Sequence, residues 1–410
     1  MTELPVRPDD LMALAGILRA ANVANPYPAY RRWREERPVA RPREQLFVFS
    51  RFADCEAVLA DPAFGRREDG DRGLAPASGD AGINARSLLR LNPPDHTRLR
   101  RLVSRAFTPA RVRGLEPRIE ATAREQLDAA RNGGPGENGR FDLIETLAQP
   151  LPVAVISELL GIEAGDRPRL VAWSAALARS LDPEFLMLEG ERDRQRVARD
   201  EFVAYLRGLL SGRRRAPGDD LISALIQASD ESGALTEDEV VSMCMLLLIA
   251  GHETTRSLIG AGVLALLSHP AELAALRSAP ELIEHAVEEM LRFDPPVQML
   301  TRFALRDAVV SEVAIPAGSF ALMLVGAANR DEAVCPDPDS FRVTRRPTRQ
   351  LAFGHGIHFC LGAPLARLEA AVALRLLLPE LPGLRVAAEP EWRPNTVLRG
   401  LEHLILEPVP

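Results

Sequence analysis

Phe353-Gly354-His355-Gly356-Ile357-His358-Phe359-Cys360-Leu361-Gly362 is the stretch that decides how the rest of the chain is read. It sets one cysteine where a glycine-rich loop meets the helix-forming run Ala366 to Leu378. Glycines let the backbone turn tightly and approach a flat ligand closely. Free amides and the positive end of the following helix favour a thiolate over a thiol, and a thiolate is what an iron needs. Two other readings compete. A lone cysteine is commonly a small buried hydrophobe. His355, His358 and Cys360 also offer three zinc donors, but without an obvious fourth ligand or a paired cysteine.

The run resembles the haem-binding loop of the cytochrome P450 family, matching Phe-Gly-x-Gly-x-His-x-Cys-x-Gly at every fixed position. This resemblance implies haem b (iron protoporphyrin IX) as cofactor, Cys360 as the axial iron ligand, Phe353 packed beside the sulfur and His358 bonded to a haem propionate. Gly362 completes the loop. In such proteins the thiolate pushes electron density onto iron and favours cleavage of the O–O bond.

Working outward, the longest helix begins at Thr236 with Glu239 three residues on, a capping-box spacing, and runs to Leu267 before His269 and Pro270 stop it. Its almost wholly apolar middle implies a buried central helix. Within it lies Ala250-Gly251-His252-Glu253-Thr254-Thr255, where glycine costs about 1 kcal/mol relative to alanine. The Thr254 hydroxyl can reach back to the Ala250 carbonyl and open a small polar groove, or the glycine can serve close helix packing. The segment resembles the family's Ala-Gly-x-(Asp/Glu)-Thr oxygen-binding motif. That likeness implies catalytic roles for Thr254 and Glu253 in proton delivery to dioxygen, with Ala250 at the cofactor and His252 structural.

Glu289 and Arg292 stand three apart on one helix face, where they can pair. They resemble the family's Glu-x-x-Arg element, with Arg345 as the expected third member supporting the cysteine loop. His96 and Arg100, four apart, resemble its His-x-x-x-Arg element, and Arg302 matches a further propionate-binding position. Arg98, Arg101 and Arg105 recur at helical spacing on another side and, with Arg367, form a candidate docking patch for an acidic ferredoxin.

The 410 residues are 46% hydrophobic and 26% charged, which suits a soluble globular protein and excludes wholesale disorder. A net charge of -7 argues against nucleic acid as a partner. The sequence contains no lysine, so any cationic surface is arginine-based. Four scattered cysteines, a polar amino terminus and an apolar run of only Met243 to Ala250 point to a cytoplasmic protein without a membrane segment.

The expected fold is mainly α with small β-sheets, one large helical domain over residues 1–410 enclosing the haem. Strands are expected at Leu46 to Phe49, Phe320 to Val325 and Val397 to Leu406, and the polar loop Gly65 to Gly82 reads as a lid. Candidate substrate-pocket residues are Ile83, Leu88, Leu89, Leu246, Ile249, Ala250, Val297, Gln298, Val397 and Leu398, with Gln298 a possible donor. The family resemblance implies a haem-thiolate monooxygenase that inserts one atom of O2 into a small molecule, by hydroxylation or epoxidation, and the apolar lining implies a hydrophobic substrate. Electrons are expected to come from NAD(P)H through ferredoxin reductase and ferredoxin, since no reductase domain follows Pro410. A natural-product tailoring role fits. The rival readings are peroxide-driven or rearrangement chemistry on the same haem, and a haem protein that binds ligands without turnover.

Overall fold

The computed structural model describes residues 3–18, 24–66, 87–104, 107–132, 139–179, 190–232 and 235–409. The expected lid lies mostly in 67–86, and with Ile83 and Arg105 falls outside the described residues.

The central helix runs Glu237–Ser268. Thr236 caps it: the threonine oxygen accepts from the Glu239 amide while the Glu239 carboxylate accepts from the Thr236 amide, so two otherwise orphaned donors are satisfied. At the other end His269 breaks the helix and Pro270 opens the next one, Pro270–Ser278. At 32 residues the helix is roughly 48 Å long, enough to cross the whole body of the protein. It packs against Pro150–Leu160, Arg167–Ala178, Glu191–Arg215 and Ala363–Leu377, and these neighbours bury its apolar middle on several sides. Among the described residues no single helix is long and apolar enough to cross a membrane.

A five-stranded sheet lies beside this helical body in the order Val39–Arg43, Leu46–Phe49, Phe320–Leu324, Met299–Ala304, Phe64–Gly65. Leu46 pairs with Phe320 in parallel register, and Phe303 pairs with Phe320 antiparallel, so the first hairpin and the strand leaving Pro295-Pro296 are knitted through one buried strand. All five residues of that strand are buried, which suits an uninterrupted apolar run. The expectation of a strand to Val325 overshoots by one residue, because Val325 opens a short helix, Val325–Ala328. Val397 to Leu406 is not one strand either. It divides into Leu401–His403 and Ile405–Pro408, while Leu398 makes an isolated bridge to Val297.

Candidate active site

The cysteine loop folds as its glycines demand. Gly354 and Gly356 have φ of +70° and +72°, left-handed conformations that side chains with a Cβ resist. A Cβ on Gly356 would also stand 2.3 Å from the Leu59 carbonyl oxygen. The turn brings the Cys360 amide to the Phe353 carbonyl at 2.9 Å and leaves the sulfur open to a cavity, whereas Cys55, Cys244 and Cys335 are buried. The following helix is Ala363–Leu377. Burial pushes the Cys360 thiol above its ordinary value, against the opposing pull of the Gly362 and Ala363 amides and the Arg100 and Arg367 charges. The amides and the helix end therefore do not make the thiolate alone. A bound cation is what would complete the stabilisation.

The cavity has a volume of about 1960 Å³ and a largely apolar wall. Leu88, Leu89, Leu246 and Ile249 line it as expected, as do Ala250, Val297, Val397 and Leu398. Gln298 does not. It follows Val297 into an extended segment, where successive side chains face opposite ways, so its amide donates to the Pro295 carbonyl at 2.6 Å on the far side. Its expected role as a substrate donor is corrected by that alternation.

Across the cavity from the cysteine loop, the Thr254 hydroxyl donates to the Ala250 carbonyl at 2.9 Å, and Thr255 donates to Gly251 at 3.2 Å. A Cβ on Gly251 would lie 3.3 Å from Ile156, so the glycine also serves close packing of two helices. Glu253 points elsewhere. It is buried away from the cavity, where it accepts from Arg393 and sits 3.5 Å from His252 Nε2 and 4.0 Å from Arg256. Burial pushes its carboxyl up, but the His252 hydrogen bond and the charges of Arg393 and Arg256 outweigh this and hold it at about 2. His252 is fully buried between the Leu248 carbonyl and the Ser174 hydroxyl, as a structural residue would be.

At one edge of the cavity, the rings of His96 and His358 lie 4.4 Å apart, and the Nε2 atom of each is buried without a partner. Arg100 donates to the Phe359 carbonyl at 2.6 Å, and Arg302 projects from the strand Met299–Ala304. Arg66, which no sequence motif marked, joins them and donates to the Thr301 hydroxyl at 3.1 Å. Burial and then the charges of Arg302, Arg66 and Arg100 push the His358 imidazole down to about 2. Burial with Arg100 and Arg302 brings His96 to about 4. No carboxylate contributes to either shift. Such a concentration of donors calls for an anion, and the two propionates of a haem fit it. The open Cys360 sulfur and the apolar walls fit the remainder of that group.

The support behind the loop is continuous. Glu289 and Arg292 are both almost fully buried and bidentate, at 2.7 and 2.8 Å, and Arg345 Nε joins Glu289 at 3.1 Å. Arg292 donates to the Asn329 carbonyl, and the Asn329 side-chain oxygen accepts from the Leu351 amide at 2.7 Å, two residues before Phe353. Arg98 and Arg367 belong to this internal bracing more than to an open patch. Arg98 bonds Glu239 at 2.5 Å, tying Asp95–Ser104 to the start of the central helix, and Arg367 pairs with Glu288 while its guanidinium lies 4.5 Å from the Phe353 ring centre. Arg101 is the exposed member of the expected patch.

Comparisons with known proteins agree with this geometry. The family model for cytochrome P450 matches residues 75–382. The chain is 42% identical over 399 residues to the cytochrome P450 monooxygenase PikC of Streptomyces venezuelae, covering 95% of this chain and 92% of that one. It is 39% identical to the mycinamicin IV hydroxylase/epoxidase of Micromonospora griseorubida, covering 92% of each. The ligand-free crystal structure of Mycobacterium smegmatis CYP164A2 superimposes with a TM-score of 0.88 at 43% identity, covering 96% of this chain and 99% of that chain. An open cysteine on a glycine loop, set in this helical frame and matched along nearly its whole length, places the chain in the cytochrome P450 family, among its bacterial monooxygenases.

Proposed function

We propose that this enzyme holds haem b through Cys360 and inserts one atom of O2 into an apolar organic molecule by hydroxylation or epoxidation. The observation that carries the reading is the Cys360 sulfur facing an apolar cavity whose edge holds His96 and His358 with unpartnered nitrogens. His96, Arg100, Arg302 and His358 would hold the propionates, and Arg66 adds a further cation. The haem, when bound, supplies the oxygen-activating iron. The protein supplies a dry wall, orientation and protons. Thr254 presents a hydroxyl that donates to Ala250 and keeps lone pairs to accept from the cavity side, so it can pass a proton at its oxygen. Glu253 is held ionised in its pair with Arg393, so Thr254 is the one of the two that presents its side chain to the cavity.

Electrons would come from NAD(P)H through a ferredoxin reductase and a ferredoxin in the cytoplasm. The two natural-product enzymes PikC and the mycinamicin hydroxylase favour a tailoring role in secondary metabolism. The test is the reduced carbon-monoxide complex, which should show the red-shifted absorption of thiolate ligation and lose it in Cys360→Ser. A band that persists in the variant overturns the assignment. Product formation with ferredoxin, reductase and NAD(P)H, set against hydrogen peroxide alone, separates this reading from a peroxide-driven one.

A further inference from the structure

Outside the cavity, a histidine and two carboxylates meet where two of the small sheets adjoin. Asp142 ends the strand Phe141–Asp142, and His403 ends the strand Leu401–His403. Glu145 stands in the π-helical turn Ile144–Ala148, which the Gln149 amide closes on the Ile144 carbonyl at 3.0 Å. Such turns are rare and recur at functional sites. The donor atoms of the three side chains all lie within 4.8 Å of one another.

Each donor has its own setting. The Asp142 side chain is 8% exposed, and its Oδ1 accepts from the Ile144 amide at 2.9 Å and from the Leu404 amide at 3.0 Å. Those two bonds fix the carboxylate and leave Oδ2 to accept from His403 Nδ1 at 2.6 Å. A carboxylate held from behind in this way is how proteins orient a metal ligand. His403 is half-buried, while Glu145 is exposed and has no hydrogen bond or ion pair among the described residues. The neighbourhood is acidic. Glu391 is the strand partner of His403, and Glu402 precedes it. Glu402 is neutralised by Arg256 at 3.5 Å and Arg393 at 3.3 Å, whereas no arginine among the described residues pairs with Asp142, Glu145 or Glu391. An imidazole joined to two carboxylates suits a divalent first-row ion such as zinc; magnesium and calcium favour oxygen donors alone.

We propose that Asp142, Glu145 and His403 form a structural site for a zinc-type ion, which takes His403 Nδ1, Asp142 Oδ2 and one Glu145 oxygen, with water at the fourth position. Ligand bonds of about 2.0 to 2.1 Å set neighbouring donors roughly 3.3 Å apart, so the His403–Asp142 pair opens slightly and the exposed Glu145 arm swings in. The ion takes the place of the proton that Nδ1 donates to Asp142, and that proton leaves to water. The segments it joins both press on the central helix: a Cβ on Gly260 would stand 2.6 Å from Ile144 Cδ1 and 3.7 Å from Leu401 Cδ1. The ion would therefore brace the seat of that helix from outside the cavity.

The experiment titrates chelator-treated, tag-free, haem-loaded protein with ZnCl2 and with MgCl2 by calorimetry, and follows thermal melts by far-UV circular dichroism. One equivalent of zinc should bind, magnesium should give no saturable heat, and His403→Ala and Glu145→Gln should each weaken zinc at least about tenfold. At about a hundredfold excess of zinc over its Kd, the Tm should rise by about 3 °C in the wild type and stay unchanged in His403→Ala. Asp142 is left in place because its Oδ1 serves two backbone amides. Absence of zinc binding overturns the inference and leaves a plain histidine–aspartate pair. Zinc bound by either variant as tightly as by the wild type puts the ion elsewhere and overturns it too. So does magnesium matching zinc, which marks diffuse attraction to the acidic groups only.

Discussion

Replacing Glu289 with Gln removes one negative charge and almost no volume, so what it measures is electrostatic. In the native structure the Glu289 carboxylate accepts from Arg292 at 2.7 and 2.8 Å, from Arg345 at 3.1 Å and from the Arg342 amide at 2.9 Å, with Arg292 1% and Glu289 3% exposed. The amide strands two guanidiniums beside it, and one of them is fully buried. Breaking a buried pair from one side costs on the order of 3 to 5 kcal/mol. With an unfolding entropy of about 2.1 cal/mol/K per residue, a chain of this size loses about 1.2 °C of Tm per kcal/mol, so the expected fall is roughly 3.5 to 6 °C. Through Asn329 and Leu351 the damage should also reach the cysteine loop. Thermal melts followed by far-UV circular dichroism measure the first effect, and the fraction of reduced carbon-monoxide complex with normal thiolate absorption measures the second. A Tm within about 1 °C of wild type with an undisturbed spectrum would refute the idea that this network braces the loop.

Three further outcomes are expected. Thr254→Ala should keep haem binding but divert reducing equivalents to peroxide, and unchanged coupling of NAD(P)H use to product would remove its proton role. Glu253 titrates at about 2 in the folded protein against an ordinary 4.5, so its ionisation stabilises the fold above pH 4.5 by about 3 kcal/mol and that contribution is lost as pH falls toward 2. Removing a source of the depression with Arg393→Ala should therefore open a stability gap from wild type at pH 7 that narrows below pH 4.5 in urea titrations; a gap independent of pH would count against the pair. Arg101→Glu should slow electron transfer from an acidic ferredoxin and weaken its salt dependence, whereas Arg98→Glu should first lower stability because Arg98 is engaged with Glu239.

The contrast between Arg98 and Arg101 illustrates how much of the site was legible in the residues alone. Helical spacing puts both on an outer surface, but it is blind to the Glu239 carboxylate arriving from a helix more than a hundred positions away. The contacts of Arg367 were hidden in the same way, since Glu288 and the Phe353 ring meet it only in the folded chain. Gln298 failed on a one-residue matter: a short extended segment shows too little alternation for its buried face to be told from its open one, and the Pro295 carbonyl settles which is which. Arg66 carries no motif, and it reaches the cavity because the pairing of Phe64 with Ala304 brings distant segments side by side.

What the residues alone determine are features enforced within a few positions of the chain. The left-handed turns at Gly354 and Gly356, the capping box at Thr236, the Thr254 bond to Ala250 and the Glu289–Arg292 pair are all local, set by φ preferences and by the rise of a helix. That is why Cys360 could be singled out as the open cysteine of a cofactor loop. Long-range packing decides the rest: that Glu253 turns from the cavity to Arg393, that His96 and His358 converge with buried unpartnered nitrogens, and that residues from many segments close one largely apolar cavity over Cys360. Charge partners and cavity walls come from segments far apart in sequence, and only the closure of the fold brings them within reach of one another.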